Sequence, residues 1–404
     1  MHVTNVAKPD PIRVSRGTTR RVVLAVGVAH FINDAYSSFL SPLLPRLMDR
    51  LGMSIALAAI LAMTWSLAGS LIQPAAGYLA DRYGRKFFVI GGPLISGVFL
   101  SLIGLAPSVA VLAAILIAGG IGSAAFHPPG AAMSGEAAEG KGSGLRMSIF
   151  AFGGLLGFAV GPLIVVGLVA VVGLNGMWVA MLPAIAVCTV LAFVLPPDRP
   201  HPDAPKPPPP LAVLRALRGP LGAIFVIGAL SGFLQRLFLT LSPIISFQDG
   251  VSEATGAIVL STYMGGQAVG TLVGGVLCDR MDRRYLLAGL TALALPAHFF
   301  AFWLPAASPL MLMFAAVAGF LNLALMPPVI VLAQEILPES KGVGSGIVMG
   351  LAWAVGSVAV IGFGFLGDGI GPRPAALMSL PLLLIGTVLA FHPSLRPHRM
   401  PDHA

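Results

Sequence analysis

The sequence predicts an all-α membrane protein of twelve transmembrane helices, built as two pseudo-symmetric six-helix halves. Three observations carry that expectation. Only 10% of the 404 residues are charged and the mean hydropathy is +0.90, against about 25% charged residues in soluble domains. Lipid is the solvent such a composition suits. Apolar runs long enough to cross a bilayer core, roughly 20 residues each, recur twelve times. One charged stencil also appears twice, as Gly77-Tyr78-Leu79-Ala80-Asp81-Arg82-Tyr83-Gly84-Arg85-Lys86 and as Gly275-Val276-Leu277-Cys278-Asp279-Arg280-Met281-Asp282-Arg283-Arg284. Gly, Asp and two Arg fall in register, each time between two apolar runs. That is the signature of a duplicated helical bundle, the plan of many secondary transporters.

In order, a polar and basic tail (1–21) precedes spans at 22–45, 55–79, 87–106, 109–133, 145–172 and 177–196, which form the first half (22–196). The second half (220–391) holds spans at 220–246, 255–278, 285–305, 309–333, 344–366 and 374–391, and a tail (392–404) follows. The break at 197–219 contains Pro207-Pro208-Pro209-Pro210 among other prolines, which forbid helix and favour an extended spacer. The first apolar run is too long for a cleavable signal. Cys188 and Cys278 lie in or beside apolar segments of different halves and are expected to pack as small apolar side chains.

The net charge of +8 reports topology. With both stencil turns in the cytoplasm, twenty Lys and Arg side chains lie on that side and only Arg46, Arg50 and Arg373 on the other. This asymmetry places both termini inside and removes any need for a nucleic-acid partner.

Duplication extends past the charged turns. Pro128-Pro129 in the fourth span maps onto Pro327-Pro328 in the tenth, and Leu40-Ser41-Pro42 in the first onto Leu241-Ser242-Pro243 in the seventh. In the turns, Gly77, Asp81, Arg82 and Arg85, with Asp279, Arg280 and Arg283, are candidate gating residues. Their carboxylates are placed to meet the N–H groups opening the next helix, and their cations to latch neighbouring loops. In the fifth span Gly153, Gly157 and Gly161 share one helix face and permit close backbone approach, while Pro162 removes a donor and bends the helix.

Only Asp34 and Arg236, of 24 basic and 16 acidic residues, fall well inside a predicted span, where charge is costly and usually functional. In the Leu-Ser-Pro register, Asp34 maps onto Gln235, beside Arg236. An acid and a base are therefore expected to face each other across a central cavity. Asp34, with His30 a turn earlier and His127 in the fourth span, is the candidate proton site. Arg236, Asn33, Gln73, Gln235 and Asn322 are candidate substrate contacts. Trp65, Phe150, Phe152 and Trp353 are expected to pack. No phosphate-cradling Gly-x-x-x-x-Gly-Lys-Ser/Thr segment occurs, no Cys/His cluster has metal-ligand spacing, and no basic-aromatic platform suggests nucleic acid. The energy source is therefore an ion or substrate gradient, and no cofactor is expected.

The duplicated turns and six-plus-six layout resemble the major facilitator superfamily, and within it the fosmidomycin-resistance family of bacterial drug exporters. The matching stretches are Ala29-His30-Phe31-Ile32-Asn33-Asp34, Leu71-Ile72-Gln73-Pro74-Ala75-Ala76-Gly77-Tyr78, Ser123-Ala124-Ala125-Phe126-His127-Pro128, Ser148-Ile149-Phe150, Gly153-Gly154 through Gly161-Pro162, and Leu332-Ala333-Gln334-Glu335-Ile336-Leu337-Pro338. The resemblance implies the major facilitator fold and proton-linked efflux of a small amphiphilic or anionic compound by a monomer in a bacterial inner membrane. It departs at Pro129, where the family often has an acid; that throws more of the coupling onto Asp34. The alternatives are a facilitator or importer of a sugar or organic acid, and a non-transporting sensor or lipid-translocating protein. An enzyme is not expected, since Asp34 has no second carboxylate or nucleophile at useful spacing.

Overall fold

A computed structural model describes residues 16–137, 143–197, 215, 217–337, 344 and 346–395. Most of the proline-rich linker, the outer parts of both tails and the loop containing Lys141 lie outside the described residues, among which no strand occurs. The first pass is α1 (Arg16–Ser37) and α2 (Leu40–Leu51). They separate where Ser37 and Ser38 turn their hydroxyls back onto the carbonyls of Asn33 and Ala35, each at 2.8 Å, a local competition that weakens helix continuity. The second pass is α3 (Ile55–Leu71) and α4 (Gln73–Tyr83), broken just before Pro74, which has no N–H to donate. Then come α5 (Arg85–Ser101), α6 (Val109–Ala137), α7 (Ser143–Gly176) and α8 (Met181–Val194).

The apolar stretch Ile149–Val194 runs unbroken for 46 residues. As one helix it would be about 69 Å long, more than twice the ~30 Å hydrocarbon core. Gly173 divides it at φ 73°, a backbone shape that only glycine adopts without steric cost. Two passes result, and among the described residues the total is twelve.

The second half repeats the pattern with α9 (Pro220–Gln248), α10 (Glu253–Cys278), α11 (Arg283–Trp303), α12 (Pro309–Ala324) and α13 (Met326–Ile336). A single π turn, Ile347–Leu351, opens the eleventh pass into α14 (Ala352–Ile370). The twelfth is α15 (Pro372–Ser379) and α16 (Leu383–Ala390). The break between α12 and α13 falls at Leu325, just ahead of Pro327-Pro328, as the break at Pro74 does in the second pass.

The halves meet along two seams, α3 against α14 and α7 against α10. On the first seam a Cβ at Gly364 would stand 2.8 Å from the Ala56 Cα, and further along Ser66 and Ser357 share a hydrogen bond of 2.7 Å. At the end remote from the charged turns, Arg46 pairs with Glu253 across the halves. There the Asp368 carboxylate of α14 accepts from the N–H groups of Ile55 (2.7 Å) and Ala56 (3.0 Å), the opening turn of α3. An acid is favourable at that position because the helix start presents unmet donors. Arg50 donates to the Gly104 carbonyl (2.5 Å) and to Asn175 (2.8 Å), and Arg373 pairs with Asp249 at 2.5 Å. All three arginines of that end are thus tied.

Candidate functional site

Asp34 sits inside the first half, three residues before the break in α1. His30, one turn back on the same helix face, places Nε2 at 3.2 Å from its carboxylate. His127 approaches from α6, with Nε2 at 3.6 Å. Asn33, fully buried, donates to Asp34 (2.9 Å) and to Ser123 (3.2 Å). Ser123 and the Asn33 amide nitrogen also stand 3.4 and 3.5 Å from His127 Nε2. The other nitrogen of His30 lies 2.8 Å from the Phe150 carbonyl of α7. The His30 ring stacks on Phe150 with centroids 4.2 Å apart.

The face of α7 fits this arrangement. A Cβ at Gly153 would fall 2.3 Å from the Gly27 carbonyl oxygen, at Gly157 2.2 Å from that of Phe31, and at Gly161 2.4 Å from that of Ala35. At Gly154 it would strike the His30 ring at 2.3 Å. The bare face of α7 lets α1 lie against it and lets the imidazole reach a backbone carbonyl. Pro162 follows Gly161 inside α7.

Two imidazoles and a carboxylate within 4.8 Å of one another would also suit a cation. Chain order conceals this set, since His127 comes 93 residues after Asp34. Asn33 donates to Asp34 and Ser123, and the Ser123 hydroxyl stands 3.4 Å from His127 Nε2, so hydrogen bonds link the set within the protein. Two imidazoles and one carboxylate, tied by these hydrogen bonds, are groups that can each take up or release a proton.

At the equivalent place the second half carries amides. Gln235, on α9, donates to Gln267 of α10 (3.0 Å), which donates to Asn322 of α12 (3.0 Å). Asn322 and Ser231 exchange side-chain to backbone bonds, both at 3.0 Å. None of these groups titrates. At these equivalent places the first half carries titratable groups and the second amides, while the second half's own buried histidine, His298, lies elsewhere against Tyr263 (3.3 Å) and the Ala294 carbonyl (2.8 Å).

Arg236 departs from expectation. It is 8% exposed, its guanidinium stands 5.0 Å from the centre of the Trp65 ring on α3, and its Nε has no hydrogen-bond partner. No carboxylate among the described residues pairs with it, Asp34 included. Asp34 turns to the histidines because they lie one turn away and on the adjacent helix, whereas Arg236 points at the other half through an aromatic face. The indole N–H groups of Trp65 and Trp353 and the Thr240 hydroxyl are also buried without partners.

Gln73 bonds back to the Gly69 carbonyl at 2.8 Å and serves the break in the second pass. Gly77 sits against Pro128, where a Cβ would meet it at 3.1 Å. In the charged turns, Asp81 pairs with Arg85 at 2.6 Å, Arg82 donates to Tyr78 at 2.9 Å, and Arg283 pairs with Glu335. These ties lie within a half. The caps also differ from expectation. Asp81 is inside α4 and Asp279 ends α10, both without capping the next helix, while Asp282 accepts from Arg284 N–H at 2.9 Å and opens α11. The Arg284 side chain holds the Asp282 carboxyl below its ordinary range. Asp279 and Arg280 are exposed.

Sequence reasoning missed Ser123, Gln267 and the Phe150 carbonyl. Ser123 lies one turn before His127, and Gln267 is an amide within an apolar span, so both carried a legible signal. A backbone acceptor carries none.

A model of the Major Facilitator Superfamily matches residues 26–258 and 224–403. The chain is 26% identical to the Fosmidomycin resistance protein of Escherichia coli (strain K12), over 96% of this chain and 98% of that one. It is 27% identical to the Multidrug efflux pump Tap of Mycolicibacterium fortuitum, over 84% and 88%. Among solved structures it resembles a bacterial homologue of the human lysosomal transporter Spinster in an inward-facing, unoccupied conformation. The TM-score is 0.76 at 16% identity, covering 94% of this chain and 97% of that one.

Proposed function

Because the chain belongs to the major facilitator superfamily, and so is a multi-pass membrane transporter and not an enzyme, we propose that it exports a small anionic or amphiphilic compound in exchange for protons. The observation that carries this reading is the division of polar groups. Titratable side chains gather at Asp34, His30 and His127 in one half, and a buried cation without a counter-ion, Arg236, stands in the other. An uncompensated buried guanidinium is costly, and a carboxylate or similar group on the substrate offsets that cost. The Trp65 ring and the neighbouring apolar surface accommodate the rest of such a molecule.

With the charged turns in the cytoplasm, the bonds joining Arg46 to Glu253 and Asp368 to the start of α3 close the outer end. Substrate then enters from inside and reaches Arg236. Asp34 and Arg236 do not touch, so proton and substrate do not compete for one contact. Their exchange is linked through conformation: each ligand favours the state in which it binds better. The names of two relatives, a resistance protein and an efflux pump, support the outward direction. The second-half amides Gln235, next to Arg236 in the chain, and Asn322 serve as further substrate contacts, and the charged turns gate the cytoplasmic end.

The test uses purified protein in proteoliposomes with an imposed pH gradient, and fosmidomycin and an uncharged dye as probes. Asp34→Asn is expected to abolish gradient-driven accumulation of any accepted probe while leaving substrate binding within about threefold. Arg236→Ala is expected to weaken binding of the anionic probe at least tenfold, about 1.4 kcal/mol, with little effect on an uncharged one. Gradient-driven transport that survives Asp34→Asn would overturn the coupling assignment.

A further inference from the structure

We infer that His30 is a proton-dependent clasp between α1 and α7, and that the proton lost on the cytoplasmic side is the one it shares with the Phe150 carbonyl. The inference rests on the coupling reading above and names the atom through which coupling leaves the proton site.

A carbonyl oxygen only accepts, so His30 Nδ1, 2.8 Å from Phe150 O, carries a hydrogen. The opposite nitrogen faces a carboxylate at 3.2 Å, and two bare lone pairs at that distance in a buried site repel. A second proton therefore lies between Nε2 and Asp34. In this state the pair holds two protons, one on each side of the ring. The ring cannot turn away, because Phe150 stacks on it, Phe126 lies with its centroid 5.3 Å off, and Gly154 abuts Nε2. Among the described residues, the titratable groups facing His30 are Asp34 on its own helix and His127 on α6, whose ring centroid is 5.3 Å away. From α7 it meets the Phe150 carbonyl, the Phe150 ring and the bare Cα of Gly154.

When one proton leaves, two products are open. Loss from Nε2 sets lone pair against carboxylate. Loss from Nδ1 keeps an N–H to the Asp34 carboxylate, a charge-assisted bond roughly twice as strong as a neutral one. The second product wins. It breaks no covalent bond other than N–H, sends one proton to water, and leaves the Nδ1 lone pair opposing the Phe150 oxygen. The hydrogen bond that held α7 to α1 becomes a repulsion. Since α7 is the helix that packs on α10 of the other half, release is felt at a seam between the halves. Gly154 is a positioning residue here: its missing side chain keeps the ring in reach of both acceptors.

Two measurements decide the inference. In proteoliposomes, His30→Gln is expected to lose at least tenfold in pH-driven accumulation while keeping substrate exchange at equal pH within threefold, a split that a general structural defect does not produce. Asp34→Asn is measured beside it. If Asp34→Asn also keeps pH-driven transport, the coupling reading fails; if it loses that transport and His30→Gln retains it, the clasp alone fails. For a His30→Gln protein that does not fold, nitrogen-15 spectroscopy of the wild-type histidines in membranes provides the second readout. The His30 signal is expected to pass from both nitrogens protonated to the Nε2–H tautomer as pH rises. Appearance of the Nδ1–H tautomer instead would overturn the proposal.

Discussion

Gln267 shows what a single buried amide can hold. It receives from Gln235 and donates to Asn322, so Gln267→Leu strands a donor on α9 and an acceptor on α12, a loss of about 1–3 kcal/mol for each unmet buried group. The expected result is a lower midpoint of thermal unfolding in detergent and weaker substrate binding, with the pH dependence of transport unchanged. Unaltered unfolding would mean that water or movement satisfies both partners. At this scale the sequence was legible wherever rarity marks function. Asp34 and Arg236 stood out because charge inside an apolar span is costly. Their expected partnership did not form, since the Leu-Ser-Pro register aligns positions in two helices but says nothing of which way each side chain turns. The histidines, nearer to Asp34 on the fold, took that role.

Helices were more legible than their joints. Apolar runs located the passes within a few residues, and the glycines of α7 announced a close seam. Which helix fills the seam is a tertiary fact, and it is α1. Gly157→Leu is expected to prevent α1 from seating, because even a Cβ would lie 2.2 Å from the Phe31 carbonyl oxygen. Gly167, with nothing within 4 Å of a built Cβ, is the control. Size-exclusion profiles and thermal midpoints of Gly157→Leu and Gly167→Ala test this: the first collapses or falls by several degrees, the second does not. The interruptions at Ile72 and Leu325 follow from the prolines just beyond them. The break after Ser37 combines hydroxyl competition with Pro42 in the first turn of α2, whereas the π turn at Ile347 had no comparable mark.

For the whole molecule, the decisive contacts join the halves at the end remote from the charged turns. The sequence drew attention to the charged turns as latches, because two Arg and an Asp in register are conspicuous. In this conformation the latch is the quieter Asp368, which binds two backbone N–H groups of the opposite half. Charge-assisted bonds of that kind contribute about 1.5–3 kcal/mol. Asp368→Asn is therefore expected to move the balance toward the outward-open form by roughly 30-fold, about 2 kcal/mol. Spin-label distances between the ends of α2 and α10 measure it, and an unchanged distribution counts against the latch.

The pairing of Arg46 with Glu253 spans 207 residues of chain, with a consequence for biogenesis. At about 5–20 residues per second, the ribosome needs roughly 10–40 s to make the acid after the base has been threaded through the bilayer. Throughout that interval the nascent first half stands with the end remote from its charged turn unfastened, and a chain truncated after the first turn of α10 is the shortest that can fasten it.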